Sequence, residues 1–104
     1  LPGAKVAASA SLTDGTTVGA DVQIGEGSRV SGSVLLDGAR IGDGVLVERS
    51  VIGPGATIGD DTVVSDAVVG DGASIGASCE LLAGVRIWPG LAIPDGGLRF
   101  SGGA

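Results

Sequence analysis

Glu26, Asp43 and Asp60 stand at successive intervals of 17 residues. Carboxylates stacked at such a period could gather around a hard cation such as calcium, which takes several oxygen ligands. Gly25-Glu26-Gly27-Ser28-Arg29 is a second string with chemical promise, because a glycine-rich turn can wrap its N–H groups around a phosphate. Cys79 is the single thiol. Against these candidates stands an absence: the chain has no histidine, and so lacks the commonest general base and the commonest metal ligand. Its only lysine is Lys5, and no Gly-Lys-Ser/Thr of a nucleotide-binding loop occurs.

The elements that carry these residues follow from the same interval. Ile24-Gly25, Ile41-Gly42, Ile58-Gly59 and Ile75-Gly76 recur every 17 residues, as do Val18, Leu35, Ile52 and Val69, and again Val30, Val47, Val64 and Leu81. A fixed period of this length is the mark of a stacked repeat. Within each period the aliphatic anchors lie five or six residues apart, too short a spacing for helices, so each segment reads as a short strand closed by a glycine-rich turn. Three strands make one triangular coil, and successive coils stack in parallel. At the roughly 4.8 Å spacing of paired strands, about five or six coils fit. The expected organisation is an irregular opening or cap over 1–17, a β-helix over 18–93, and a C-terminal cap and tail over 94–104. In this frame Gly25 and Gly27 are repeat partners of Gly42 and Gly44, which favours a coil corner over a phosphate loop. The carboxylate ladder reads as a solvated acidic edge more readily than as a calcium site.

Strand alternation supplies an internal check, because residues two before each anchor must also face inward. Those positions hold Val22, Ala39, Ala56 and Ala73; Ser28, Val45, Thr62 and Cys79; and Thr16, Ser33, Ser50 and Ala67. All are small or medium-sized, as a narrow interior with one large and one small side chain per face requires. Cys79 is then a buried, inert thiol. The near absence of large fillers agrees: Trp88 and Phe100 are the only aromatic residues.

Twelve acidic against six basic side chains give a net charge of −6, which disfavours nucleic acid and anionic membrane surfaces. No apolar run reaches the roughly 18 residues that would span a bilayer. One cysteine makes no internal disulfide, compatible with a reducing cytoplasm. The start at Leu1 rather than Met suggests a piece of a longer chain.

Residues just before the anchors point outward. On one face they are Val34, Val51 and Val68, and on another Leu46 and Val63 are adjacent rungs. Rows of exposed aliphatics mark contact surfaces, so these residues and Trp88 form the candidate interface, with a homo-oligomer through one β-helix face as the expected assembly. The outward residues Gln23, Arg40, Thr57 and Ser74 are too mixed for the flat threonine array of an ice-binding surface. No catalytic, cofactor or metal residue emerges.

The aliphatic-Gly-x-x-x-x pattern from Val18 to Ile93 resembles the left-handed parallel β-helix family of hexapeptide repeats, and the handedness is implied by that resemblance. Acyltransferases of the family usually rely on a histidine, absent here, so a hexapeptide acyltransferase remains an alternative only if another chain supplies the chemistry. A free-standing or engineered scaffold is a further alternative. The tail, Val85-Arg86-Ile87-Trp88-Pro89-Gly90 and then Ile93-Pro94-Asp95-Gly96-Gly97-Leu98-Arg99-Phe100-Ser101, breaks the period. With the alternating five- and six-residue sides it resembles the C-terminal domain of the mannose-1-phosphate guanylyltransferase (GDP-mannose pyrophosphorylase) family, most of all its actinobacterial type. The resemblance implies a non-catalytic domain serving oligomerisation or regulation. It also implies an N-terminal catalytic domain, to which Mg²⁺ and GTP belong, as a partner within a longer chain. Trp88 and Phe100 would cap the last coil, or Trp88 would dock on that domain or a second subunit.

Overall fold

The computed structural model describes residues 5–13, 15–82 and 84–97. Every regular element among them is a strand of two or three residues. The strands form three parallel sheets, one for each face of a triangular coil. The first face stacks Lys5–Val6, Gln23–Ile24, Arg40–Ile41, Thr57–Ile58, Ser74–Ile75 and Ala92–Ile93. The second stacks Ser11–Thr13, Arg29–Ser31, Leu46–Glu48, Val63–Ser65 and Glu80–Leu81. The third stacks Thr17–Val18, Val34–Leu35, Val51–Ile52, Val68–Val69 and Arg86–Ile87. Ile41 pairs with Ile58 and Ile58 with Ile75, so the sequence columns are the register of the sheets.

Parallel stacking explains why such short strands hold. Each strand donates its N–H groups to the next coil: Thr57 N to Ala73 O at 2.9 Å and Gly59 N to Ile75 O at 2.7 Å. Neighbouring coils satisfy one another's backbone, and no strand needs length of its own. The interior is a stack of aliphatic layers in which Leu35, Ile52, Ile58, Ile75 and Leu81 are almost wholly enclosed. The small inward column is buried as the alternation requires, from Val22 and Ala39 to Ala67 and Cys79, with Thr16 half-buried.

The buried hydroxyls of this column are working parts of the coil. Ser28 Oγ donates to Gly42 O at 2.6 Å and accepts from Val45 N at 3.0 Å. Thr62 Oγ1 donates to Gly76 O at 2.9 Å and accepts from Cys79 N at 3.3 Å. Ser50 Oγ likewise links Glu48 O to Ala67 N. Each hydroxyl accepts from an interior backbone N–H and donates to a carbonyl, and no buried side-chain nitrogen or oxygen among the described residues lacks a partner.

The solenoid starts earlier than the periodicity suggests. Lys5–Val6 and Ser11–Thr13 pair in parallel with Gln23–Ile24 and Arg29–Ser31, so most of the expected irregular opening is a coil. The interval there is 18, as it is again from Val68 to Arg86 and from Ser74 to Ala92. One additional residue between strands shifts the count and leaves the stacking intact, which is why the sequence period fades at both ends. Trp88 does not close the last coil: it is 78% exposed. Phe100, its expected companion in the cap, lies outside the described residues.

Replacing Ile58, 1% exposed in the central layer, by alanine is expected to cost about 2–5 kcal/mol. Thr62→Val strands the Cys79 N–H and should cost about 1–3 kcal/mol despite its near-equal volume. Equilibrium denaturation of the two variants measures both effects.

Candidate functional site

The carboxylate ladder is built into the corners. Asp43 Oδ1 accepts from Glu26 N and Asp60 Oδ1 from Asp43 N, both at 2.9 Å. Asp37 does the same for Ala20 N at 2.9 Å and Asp95 for Ala77 N at 2.8 Å. Each of these aspartates staples its own turn to the turn of the coil before it. Ser9 Oγ works in the opposite sense, accepting from Gly27 N of the coil after it. One oxygen of each stapling carboxylate is engaged by backbone, and among the described residues no group of three or more acidic, cysteine or histidine side chains converges on a point that could hold a metal.

The staples explain the glycine of the Ile-Gly pair. Its φ is not positive at Gly25 or Gly42, in contrast to Gly27 and Gly44, whose φ values are 70° and 66°. A Cβ on Gly25 would strike Asp43 Oδ1, and one on Gly42 would strike Asp60 Oδ1. Turn glycines are therefore of two kinds, one required by backbone angle and one by the turn stacked against it, where a Cβ would meet backbone and carboxylate together at Gly25 and backbone alone at Gly59. The would-be phosphate loop is accounted for in full: Gly25 makes room for Asp43, Gly27 bends the chain, and Ser28 is buried.

The tight corner after the second face carries Arg49 and Asp66, both with positive φ. Their side chains pair across coils, with Arg49 Nε to Asp66 Oδ1 at 2.9 Å and Arg49 Nη2 to Asp66 Oδ2 at 3.0 Å. The hydrogen bonds from Arg49 hold the Asp66 carboxyl below the usual carboxylate range, and the guanidinium is correspondingly raised. Opposite charges 17 residues apart were the available sequence signal for this pair. Both groups are solvent-exposed, so the pair orders a corner and adds little stability.

The candidate interface residues fall on two different faces. Val34, Val51 and Val68 are consecutive rungs of the third face, half-buried at Val34 and exposed at Val51 and Val68. Leu46 and Val63 are half-buried neighbours on the second face, flanked in register by Arg29 and Glu80. The charges at both ends make that pair a short patch. Trp88 joins the valine ladder: it lines a shallow depression with Val68, Gly70, Arg86 and Pro89. Leu36, 36% exposed, extends the same strip and was not singled out from sequence. Its signal was its place in a corner column otherwise held by Gly19, Gly53 and Gly70 before Trp88.

Stacked triangular coils with an aliphatic, hydroxyl-stapled core and an outward apolar strip define a left-handed β-helix domain of hexapeptide type. The chain belongs to the family described as the EIF2B subunit epsilon LbH domain, whose model matches residues 2–96. It is 60% identical over 99 residues to the C-terminal part of a mannose-1-phosphate guanylyltransferase of Mycobacterium tuberculosis, a match covering 95% of this chain. The chain spans 28% of that relative's length. Among solved structures, it resembles perosamine N-acetyltransferase from Caulobacter crescentus (an H141N mutant with CoA and GDP-perosamine) at a TM-score of 0.60 and 22% identity, covering 89% of this chain and 50% of that one. The acetyltransferase domain of PglB from Neisseria gonorrhoeae, bound to acetyl coenzyme A, matches at 0.52 and 24%, covering 89% and 52%. At these identities the two structures share the fold with this chain, and nothing of their chemistry transfers.

Gly42→Ala is expected to destabilise the chain although its φ suits alanine, and to do so less in an Asp60→Ala background where the opposing carboxylate is gone. A double-mutant cycle by denaturation checks the coupling. Asp66 should titrate below an ordinary aspartate, and Arg49→Ala should return it upward, as read by NMR. The sign follows from the lowered folded-state value: the pair's contribution is complete above the unfolded carboxylate range and is lost as pH falls through the Asp66 value.

Proposed function

We propose that this chain is the β-helix domain of a sugar-nucleotide pyrophosphorylase, non-catalytic by itself, serving self-association and regulation of a parent enzyme. That parent would convert GTP and mannose 1-phosphate to GDP-mannose and pyrophosphate. The observation that carries the reading is the 60% identity, over nearly all of this chain, to a mannose-1-phosphate guanylyltransferase.

Three features support a contact role. The chain has no histidine. Its stapling carboxylates and buried hydroxyls are engaged in coil-to-coil hydrogen bonds. Among the described residues the most exposed large apolar side chain, Trp88, adjoins an exposed valine ladder, and aromatic residues are frequent anchors of interfaces. Mg²⁺ and GTP would be held by the catalytic domain of the longer protein, which is the second proposed partner. A cytoplasmic location fits this substrate chemistry, and among the described residues no helix is long and apolar enough to cross a membrane. The acyltransferase alternative has fold likeness alone in its favour.

Val51→Asp combined with Val68→Asp should lower the assembly mass by light scattering while the far-UV circular dichroism stays unchanged. An unaltered mass would remove the contact role. The chain alone should release no pyrophosphate from GTP and mannose 1-phosphate; turnover of acetyl coenzyme A would instead establish the acyltransferase reading.

A further inference from the structure

We propose that the third face is self-complementary and pairs with the same face of a second copy, the two helix axes antiparallel and Val51 on the two-fold axis. This rests on the self-association reading above and specifies its geometry.

Two columns carry the argument. The outward strand column runs Thr17, Val34, Val51, Val68, Arg86, in continuous register. It holds no carboxylate in a chain of net charge −6, so the strand column itself brings no acidic side chains into opposition, Asp37 and Asp71 standing one residue beyond the corner column. The second face lacks this property, since Glu48 and Glu80 lie on its strands, and the first is polar and cationic at Lys5, Gln23 and Arg40. The five rungs of this face rise about 24 Å at roughly 4.8 Å each across a side of 21–24 Å, so it offers on the order of 500 Å², the low end for one partner of a specific interface.

The corner column alongside sets the direction. Its residues stack coil on coil, the N–H groups of Gly19, Leu36, Gly53 and Gly70 donating to the carbonyls of Leu35, Ile52, Val69 and Ile87 in the following coil, and the column runs gap, knob, gap, gap, knob: Gly19, Leu36, Gly53, Gly70, Trp88. The gaps are enforced by packing, because a Cβ at Gly53 would lie 2.8 Å from the Gly70 carbonyl carbon and one at Gly70 2.5 Å from Pro89 N. Leu36 and Trp88 face outward by strand alternation and are exposed. A two-fold axis along the Val51 strand inverts height and keeps the columns in line. Leu36 then meets the partner's gap at Gly70, Trp88 meets the gap at Gly19, and Gly53 faces its own copy. On the valine column, Val34 meets Val68, Val51 meets Val51, and Arg86 meets Thr17. A parallel pairing about the valine column would set Arg86 against Arg86, two like charges at one height. The antiparallel arrangement avoids that and puts every knob over a gap.

The test uses single cysteine variants and a short bis-maleimide able to bridge packed sheets roughly 10 Å apart; native Cys79 is wholly buried and contributes no background. Val51→Cys should cross-link to a covalent dimer severalfold faster than Val34→Cys or Val68→Cys alone. An equal mixture of Val34→Cys and Val68→Cys chains should link to roughly half the extent of Val51→Cys, because only the dimers of unlike chains set the two cysteines opposite, and well above either chain alone. Val34→Cys and Val68→Cys each linking alone at the Val51→Cys rate would overturn the antiparallel geometry in favour of a parallel one. An oligomer by light scattering in which Val51→Cys does not link would place the contact on another face and overturn the proposal alone. A chain that is monomeric throughout would overturn both this proposal and the self-association reading beneath it.

Discussion

Everything in this molecule depends on the hydrogen bonds between successive coils. A strand of two residues has no independent stability, so each coil exists because the coil before and after it completes its backbone pairing. That demand fixes a close rise between coils and imposes it on every column at once. A residue type is acceptable at a position only if it can stand against its repeat partner at that separation. Aliphatic residues meet the condition inside, where Ile24, Ile41, Ile58 and Ile75 pack as one column. At the corners the condition excludes a Cβ wherever the next turn lies directly against the backbone.

The same constraint decides what the polar residues are for. Acidic side chains at this period could gather around a metal, but stacking brings Asp37, Asp43 and Asp60 each beside an N–H of the preceding turn. Serine and threonine hydroxyls in the interior are drawn into the same role. Groups that in another fold would be free to bind or react are here part of the scaffold. What the scaffold leaves over is surface, and its least scaffold-like part is the strip from Leu36 through the valines to Trp88.

Much of this was legible in the sequence. The 17-residue columns of anchors, the small inward partners and the outward valines could be assigned because a solenoid repeats one local solution, and a period is visible without knowing any contact. The ends were harder. An extra residue in the first and last turns moved the count to 18, and a period cannot distinguish a lengthened corner from the end of the fold. The glycines were half legible. Turn chemistry accounts for Gly27 and Gly44, but Gly25 and Gly42 answer to a side chain 18 residues away that becomes a neighbour only when coils stack.

The sequence by itself thus determined the architecture and the inward-outward sense of each strand residue, because both are consequences of spacing along one chain. It also determined the lack of histidine chemistry, which no folding can supply. The tertiary structure alone decided which carboxylates and hydroxyls are engaged, that Arg49 and Asp66 meet, and that Trp88 stands beside Val68 and Gly70 instead of over the end of the coil. Those are relations between successive turns, and their physical origin is the stacking distance, which brings residues 17 or 18 apart into contact.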